Sequence, residues 1–208
     1  MNYQDGIISV KKFSSKKTIS FRYSNLYQVS NPQIKRLSKL ICQDRKGGKM
    51  FRENIFNAGI LLGMGLGDLT SKIDRDRIAV IGIPRGGTPL AEGICKSIPK
   101  SKIFYTNDGK NNNSKKPLLK YDDSLKKCQL IILADTVVDL GVTAERTIRF
   151  LIQNYTRSAI LLVSLITSLD GAYRLEKTFP KINHYTSMVE KNTNSYTHII
   201  PIIQAKLW

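Results

Sequence analysis

The sequence predicts an α/β fold in which a mostly parallel sheet is flanked by helices. Three observations lead there. Residues 77–83 (RIAVIGI), 130–134 (LIILA) and 159–167 are unbroken apolar runs, the pattern of strands buried on both faces rather than on one. Each run is followed by a stretch with helical spacing of its apolar residues. Each also ends in a cluster of Gly, Pro, Asp, Ser or Thr, the residue types that turn a chain between elements. Strands alternating with helices in this order form parallel βαβ units.

Taken in order, residues 1–30 form a basic, Ser- and Tyr-rich arm or short strand, with Lys11, Lys12, Lys16 and Lys17 lacking apolar periodicity. Asn31-Pro32 is a helix start, with Asn as cap and Pro in the first turn. Ile34, Leu37, Leu40 and Ile41 then recur at helical spacing, and Gly47-Gly48 ends the pattern. Phe51, Ile55, Phe56, Ala58 and Leu62 mark a second helix that ends among Gly63, Gly65 and Gly67. The first buried strand closes at Ile83, and a helix is expected over 90–98. Residues 103–105 read as a short strand. The lysine- and asparagine-rich stretch of about 106–127 is expected to be an exposed, mobile excursion. A strand over 130–134 leads through a polar turn to a helix over 144–154, then a strand over 159–167, a helix over 170–178, and strands over 182–189 and 197–203. The expected organisation is one domain over 31–208 preceded by the arm.

Composition narrows the class. The chain has 208 residues, 41% of them hydrophobic and 24% charged, enough to bury a core without staples. Three cysteines, Cys42, Cys95 and Cys128, and no C-x-x-C pair argue against a disulfide framework and for a reduced, cytoplasmic compartment. With only His184 and His198, a histidine metal site is not expected. No apolar run approaches the length of a membrane span, and residues 1–10 lack the apolar core of a signal peptide. The net charge of +17 points to a polyanionic partner, either nucleic acid or a phosphorylated substrate, or else to a lysine-rich composition that only aids solubility.

In open α/β sheets, ligands bind beyond the carboxyl ends of the strands. Two strand-to-helix turns qualify. In Asp135 to Thr143, free backbone N–H groups at the helix start suit a phosphate. Gly141 allows close approach of the backbone, Thr136 and Thr143 offer hydroxyls, and Asp135 suits sugar hydroxyls. In Pro84 to Pro89, Gly86 and Gly87 suggest a loop with inward amides, and Arg85 offers a fork of donors for a pyrophosphate. No G-x-x-x-x-G-K-[ST] or G-x-S-x-G motif is present.

Together the two turns resemble those of the type I phosphoribosyltransferases, whose sheet is Rossmann-like. The branch most resembled is uracil phosphoribosyltransferase. Asp44-Arg45-Lys46 with Phe51-Arg52 resembles its R-D-K…F-R pattern. Leu165 to Leu175 resembles the strand and helix after its phosphoribosyl pyrophosphate (PRPP) loop. Phe179-Pro180 with Tyr185-Thr186, and Ile199-Ile200-Pro201, resemble later segments, so the resemblance spans about 33–201. The family's PRPP loop, approximately D-P-M-L-A-T-G-G-S, is altered: Thr136 stands for Pro, Leu140 for Thr and Val142 for the second Gly. The family's uracil-binding G-L-G-D-A-G-D-R is replaced by Ile202 to Trp208 (IIQAKLW).

The resemblance implies an enzyme that transfers ribose 5-phosphate from PRPP to a nitrogen acceptor, a nucleobase or another amine, releasing pyrophosphate. Mg²⁺ would be held through PRPP rather than by protein side chains. Asp135, Thr136, Val138, Asp139, Leu140, Gly141, Val142 and Thr143 would hold the ribose and 5'-phosphate, with Asp135 and Arg85 catalytic. Arg85, Gly86, Gly87, Thr88, Arg45, Arg52 and Lys110 would hold the pyrophosphate, with Lys115 and Lys116 also able to close over it. Tyr196, Ile200 and Pro201 would line the acceptor pocket. A homodimer is implied. Two other readings stay open: a non-catalytic PRPP- or nucleotide-binding regulator, and a transferase whose acceptor is a nucleic acid or peptide.

Overall fold

The computed structural model describes residues 8–12, 23–44, 47–84, 86–107, 119 and 123–190. Their framework is a sheet in the order β1-β2-β7-β6-β5-β3-β4. The strands are β1 (Ser9–Lys12), β2 (Leu26–Ser30), β3 (Ile78–Gly82), β4 (Lys102–Tyr105), β5 (Leu130–Val138), β6 (Ala159–Ser168) and β7 (Asn183–Glu190). Every neighbouring pair is parallel except β1 with β2. Parallel pairing requires crossovers, and the helices supply them. One layer holds α1 (Pro32–Gln43), α2 (Lys49–Gly65) and α4 (Gly87–Ser97); the other holds α6 (Val142–Asn154) and α7 (Leu169–Thr178). Two short helices, α3 (Gly67–Thr70) and α5 (Asp123–Lys126), complete the described elements.

Local chemistry sets the element ends. The Asn31 side chain accepts a 2.7 Å bond from the Ile34 N–H, and Pro32 follows at the first helical position, so the cap read in the sequence is formed. Small residues fix the spacing of α2 on α4. A β-carbon at Gly59 would strike Leu90 O, and one at Gly93 would strike Phe56 O; only glycine admits so close a backbone approach.

The region expected as an arm or a short strand contributes two strands. β2 is seated between β1 and β7, and its segment is stitched to α7. The Glu176 carboxylate accepts from Ser24 N and Ser24 Oγ, at 2.5 and 2.7 Å, and Asn25 Nδ2 donates to the Ile182 carbonyl at 2.7 Å. The expected excursion is partly anchored as well: Leu119 and Leu125 are buried. Residues 108–118 and 120–122 lie outside the described set, as does the strand expected over 197–203. Among the described residues no helix is long and apolar enough to cross a membrane.

Several boundaries differ from expectation, α4 among them, which begins at Gly87 rather than Leu90, and two of the differences shape the β5–α6 turn. β5 runs four residues past Ala134, because Asp135, Val137 and Val138 continue to pair with Ser164, Ile166 and Thr167 of β6. On its other side, pairing with β3 ends at Gly82 opposite Ala134. Helix α6 starts at Val142 rather than Ala144, because Gly141 takes a left-handed φ of 71° and turns the chain at once.

Candidate functional site

The order of the sheet locates a crevice before any side chain is considered. From β3 the chain moves outward to β4, then returns to β5 on the opposite side and continues to β6 and β7. The β3–β5 boundary is therefore a topological switch point, where the flanking connections diverge and leave room for a ligand. Because β5 outruns β3, the side of Asp135 to Val138 that faces away from β6 has no strand beside it. Both turns singled out in the sequence end at this boundary.

The β5–α6 turn encloses a cavity of about 210 Å³, lined by Asp135 and residues 137–144. Glu145 N donates to Gly141 O at 2.8 Å, the first bond of α6. The amides of Val142, Thr143 and Ala144 precede that bond, and such first-turn groups have no partner within their own helix. They and the helix dipole favour an anion at this position. Gly141 is required for two reasons. Its φ is left-handed, and a β-carbon there would sit 3.2 Å from both Gly171 O and Leu175 Cγ of α7.

Asp135 stands at the rim, mostly enclosed with part of its surface open. Burial pushes its carboxyl up to about 7, against the opposing pull of the Val137 and Thr136 N–H groups. Near neutral pH the group is poised between its two states, and a cationic or hydroxyl-rich ligand would draw it to the carboxylate. Asp139 is also raised, by burial and then by Asp170, and its Oδ1 has no hydrogen-bond partner among the described residues. Thr136 is directed elsewhere: it is fully buried, does not line the cavity, and its hydroxyl has no partner among the described residues. Leu140 and Val142 are 55% and 54% exposed, so the positions that carry Thr and Gly in the family's loop present aliphatic groups to solvent.

A supporting layer escaped the reading of the sequence. Ser168 Oγ donates to the Asp139 carbonyl at 2.5 Å and accepts from Gly171 N at 2.9 Å. A β-carbon at Gly171 would overlap Asp139 O. The first turn of α7 thus fixes the far side of the β5–α6 turn. The Ser-x-x-Gly spacing at 168–171 was the available signal, since Ser is a common helix cap.

The β3–α4 turn is built differently. Ile83 N donates to Ala134 O at 2.9 Å, and Gly87 N donates to Ile83 O at 2.9 Å. The Gly87 amide is therefore spent inside the protein, which corrects the expectation of two inward, ligand-facing amides. Neither glycine has a positive φ. Gly87 is needed for proximity: a β-carbon there would overlap Ala134 O. The turn is thereby pressed against β5 just before Asp135. Thr88 lies half-buried in the first turn of α4. Arg52 is exposed in the first turn of α2, and no contact among the described residues joins it to the cavity. Arg45, Arg85, Lys110, Lys115, Lys116, Tyr196, Ile200 and Pro201 lie outside the described residues.

Comparison with known proteins agrees with this geometry. The family model described as uracil phosphoribosyltransferase matches residues 30–203. A uracil phosphoribosyltransferase of Caldanaerobacter subterraneus subsp. tengcongensis is 25% identical over 198 residues, which cover 86% of this chain and 93% of that protein. Among solved structures, a protein of Aquifex aeolicus superposes with a TM-score of 0.73 at 18% identity, covering 88% of this chain and 97% of that one. The Mycobacterium tuberculosis orotate phosphoribosyltransferase in complex with PRPP superposes at 0.50 with 14% identity, covering 77% and 90%. The switch-point crevice, the glycine-turned helix start beside Asp135 and the match over 30–203 lead to one assignment: this chain belongs to the uracil phosphoribosyltransferase family.

Proposed function

We propose that the protein transfers the 5-phosphoribosyl group of PRPP to a nitrogen acceptor. The single observation that carries this reading is the cavity at the β3–β5 switch point, where the start of α6 and the Asp135 carboxyl face one space. A phosphate at the α6 start would meet the amides of Val142 to Ala144 and the Thr143 hydroxyl. The ribose would then lie over Asp135, whose carboxylate accepts from its hydroxyls. Arg85, at the arginine of the family's pyrophosphate loop, would meet the departing diphosphate, stabilising charge that grows as the bond breaks. In the step itself the bond from C1' to the pyrophosphate oxygen breaks, and the pyrophosphate takes the electron pair. The acceptor nitrogen forms the new bond to C1', and its proton passes to solvent.

Magnesium fits this site only as a companion of the substrate. Among the described residues no group of three His, Cys, Asp or Glu side chains could cage an ion. Mg²⁺ keeps much of its coordination on water and substrate phosphate, with one or two protein carboxylates at most. Asp135 and Asp139 are the carboxyls at hand. When bound, the ion would neutralise charge on the diphosphate.

A second reading, a PRPP-binding regulator without turnover, is favoured by the exposed Leu140 and Val142 in the phosphate turn. One pair of measurements decides between them. Calorimetry with PRPP and Mg²⁺ is expected to show binding. Incubation with a panel of nucleobases and amines is expected to release pyrophosphate with at least one acceptor. Binding without release across the panel establishes the regulator, and absence of binding overturns both. The homodimer implied by the family is checked by light scattering, where a monomer mass rejects it.

A further inference from the structure

A second concavity borders the phosphate turn. It is a groove of about 600 Å³ between α6 and α7, lined by Val142, Arg146, Arg149, Phe150, Gln153 and Arg174. Val142 also lines the cavity of the β5–α6 turn, so the two spaces flank the same side chain. Three guanidinium groups face one carboxylate in the groove, that of Glu145. Glu145 neutralises neither arginine fully and instead sets their orientation. Its Oε1 accepts from Arg149 Nε and Nη2 at 3.1 and 2.9 Å, and its Oε2 pairs with Arg174 Nε at 3.1 Å. Arg149 also lies over the Phe179 ring, 5.4 Å from its centroid, and Arg174 Nη1 reaches the Leu140 carbonyl at 3.5 Å. Each guanidinium has five donors, so both keep N–H groups for a ligand. Arg146 is exposed and has no partner among the described residues.

We propose that this α6–α7 groove binds single-stranded RNA, with Arg146, Arg149 and Arg174 contacting successive phosphates. The lining favours that occupant over an acidic peptide. It combines forked donors, which match phosphate oxygens in pairs, with Gln153 and the half-buried edge of Phe150. A cationic track with an aromatic along it is the composition used to hold single strands without reading their sequence. From Arg146 to Gln153 the helix advances about 10 Å, room for two to three phosphates of one strand. The chain as a whole, at +17, would draw such a polyanion in. Val142 is shared with a cavity suited to a phosphate and a ribose, the same chemical units. This inference goes beyond sugar transfer and does not depend on it.

The test uses a fluorescein-labelled 12-nucleotide oligouridylate, with anisotropy read from low to high salt and without PRPP. A chain this basic will attract any polyanion weakly, so the comparison is between single charge reversals on opposite layers. Arg146→Glu is expected to weaken binding about tenfold, and Lys39→Glu on α1 to change it less than twofold. Arg146→Gln, which keeps the helix surface polar, is expected to lower the slope of log affinity against log salt by ~0.7, one phosphate contact. Equal losses in the Arg146 and Lys39 variants would overturn the groove assignment. So would undetectable binding, or displacement of the RNA by polyglutamate as efficiently as by unlabelled RNA. Measuring PRPP affinity on the same proteins separates failure here from failure of the transfer reading.

Discussion

The β5–α6 and β3–α4 turns are both strand-to-helix connections at one sheet boundary, yet they are built on opposite plans. The first is open: it surrounds about 210 Å³, its helix start faces that space, and Leu140 and Val142 project into solvent. The second is closed: the Gly87 amide bonds back to Ile83, and the glycine lies against the Ala134 carbonyl. Glycine does different work in each. Gly141 supplies a backbone angle, whereas Gly87 supplies proximity. The open turn can offer backbone donors to a ligand. The closed turn keeps the Gly87 amide for its own fold.

The contrast breaks most visibly at Asp135. If the open turn holds the ribose, Asp135→Asn lowers kcat/KM for pyrophosphate release about 1,000-fold, on the order of 4 kcal/mol of transition-state stabilisation. A loss under threefold, read by a coupled pyrophosphate assay, removes Asp135 from the site. Next comes stability. Gly87→Val forces a side chain into the Ala134 carbonyl and should cost about 3 kcal/mol, read by urea unfolding. Gly141→Ala should cost about 1–2 kcal/mol for the left-handed angle. If the order is reversed, the division between proximity and angle is wrong.

The pH dependence of stability sharpens the same point. Asp135 is raised from 3.8 to about 7 in the fold. The native state therefore holds a proton that the unfolded state has lost, and this group makes stability fall as pH rises from about 4 to 7. His184 acts oppositely. It is buried with Nε2 bonded to Ser164 and Thr167 hydroxyls at 2.8 and 3.1 Å, and burial lowers it from 6.5 to about 3. The unfolded state takes up a proton that the native state refuses, so stability falls as pH drops below about 6.5. The two slopes oppose each other across the shared window. Asp135→Asn should leave the His184 slope uncovered, giving a steeper loss in acid than the parent and a more stable protein at pH 7.5. Unchanged profiles would deny the burial of Asp135. The smallest effect belongs to Leu140→Thr, which restores a hydroxyl to the open turn. It should tighten ribose 5-phosphate binding by about 1 kcal/mol, read by calorimetry.

The sheet and its helices were legible because their signals are local and redundant. The apolar runs at 77–83, 130–134 and 159–167, the Asn31-Pro32 start and the Gly47-Gly48 stop each state one element. The open turn was legible for the same reason, as an Asp, a Gly and a Thr at fixed spacing after a strand. Three things were not. The extension of β5 to Val138 depends on pairing with β6, a partner twenty-odd residues away that periodicity in one strand cannot reveal. The state of the Gly87 amide depends on where Ile83 turns its carbonyl. The support of Asp139 by Ser168 and Gly171 joins two connections that share no sequence neighbourhood. The stretch 1–30, read as an arm or a short strand, gave no bounds for β2 for a similar reason, since β2 has little apolar pattern of its own and is a strand because β1 and β7 flank it.

The stitching of Ser24 to Glu176 spans 152 residues of chain. During synthesis β2 leaves the ribosome long before β7, its parallel neighbour, exists. Its hydrogen-bonding edge must wait unpaired for most of translation, when foreign strands can add to it. α7, which closes that stitch, also braces the β5–α6 turn through Ser168 and Gly171. One late helix therefore closes two seams at once, the edge left by the earliest strands and the turn that follows β5.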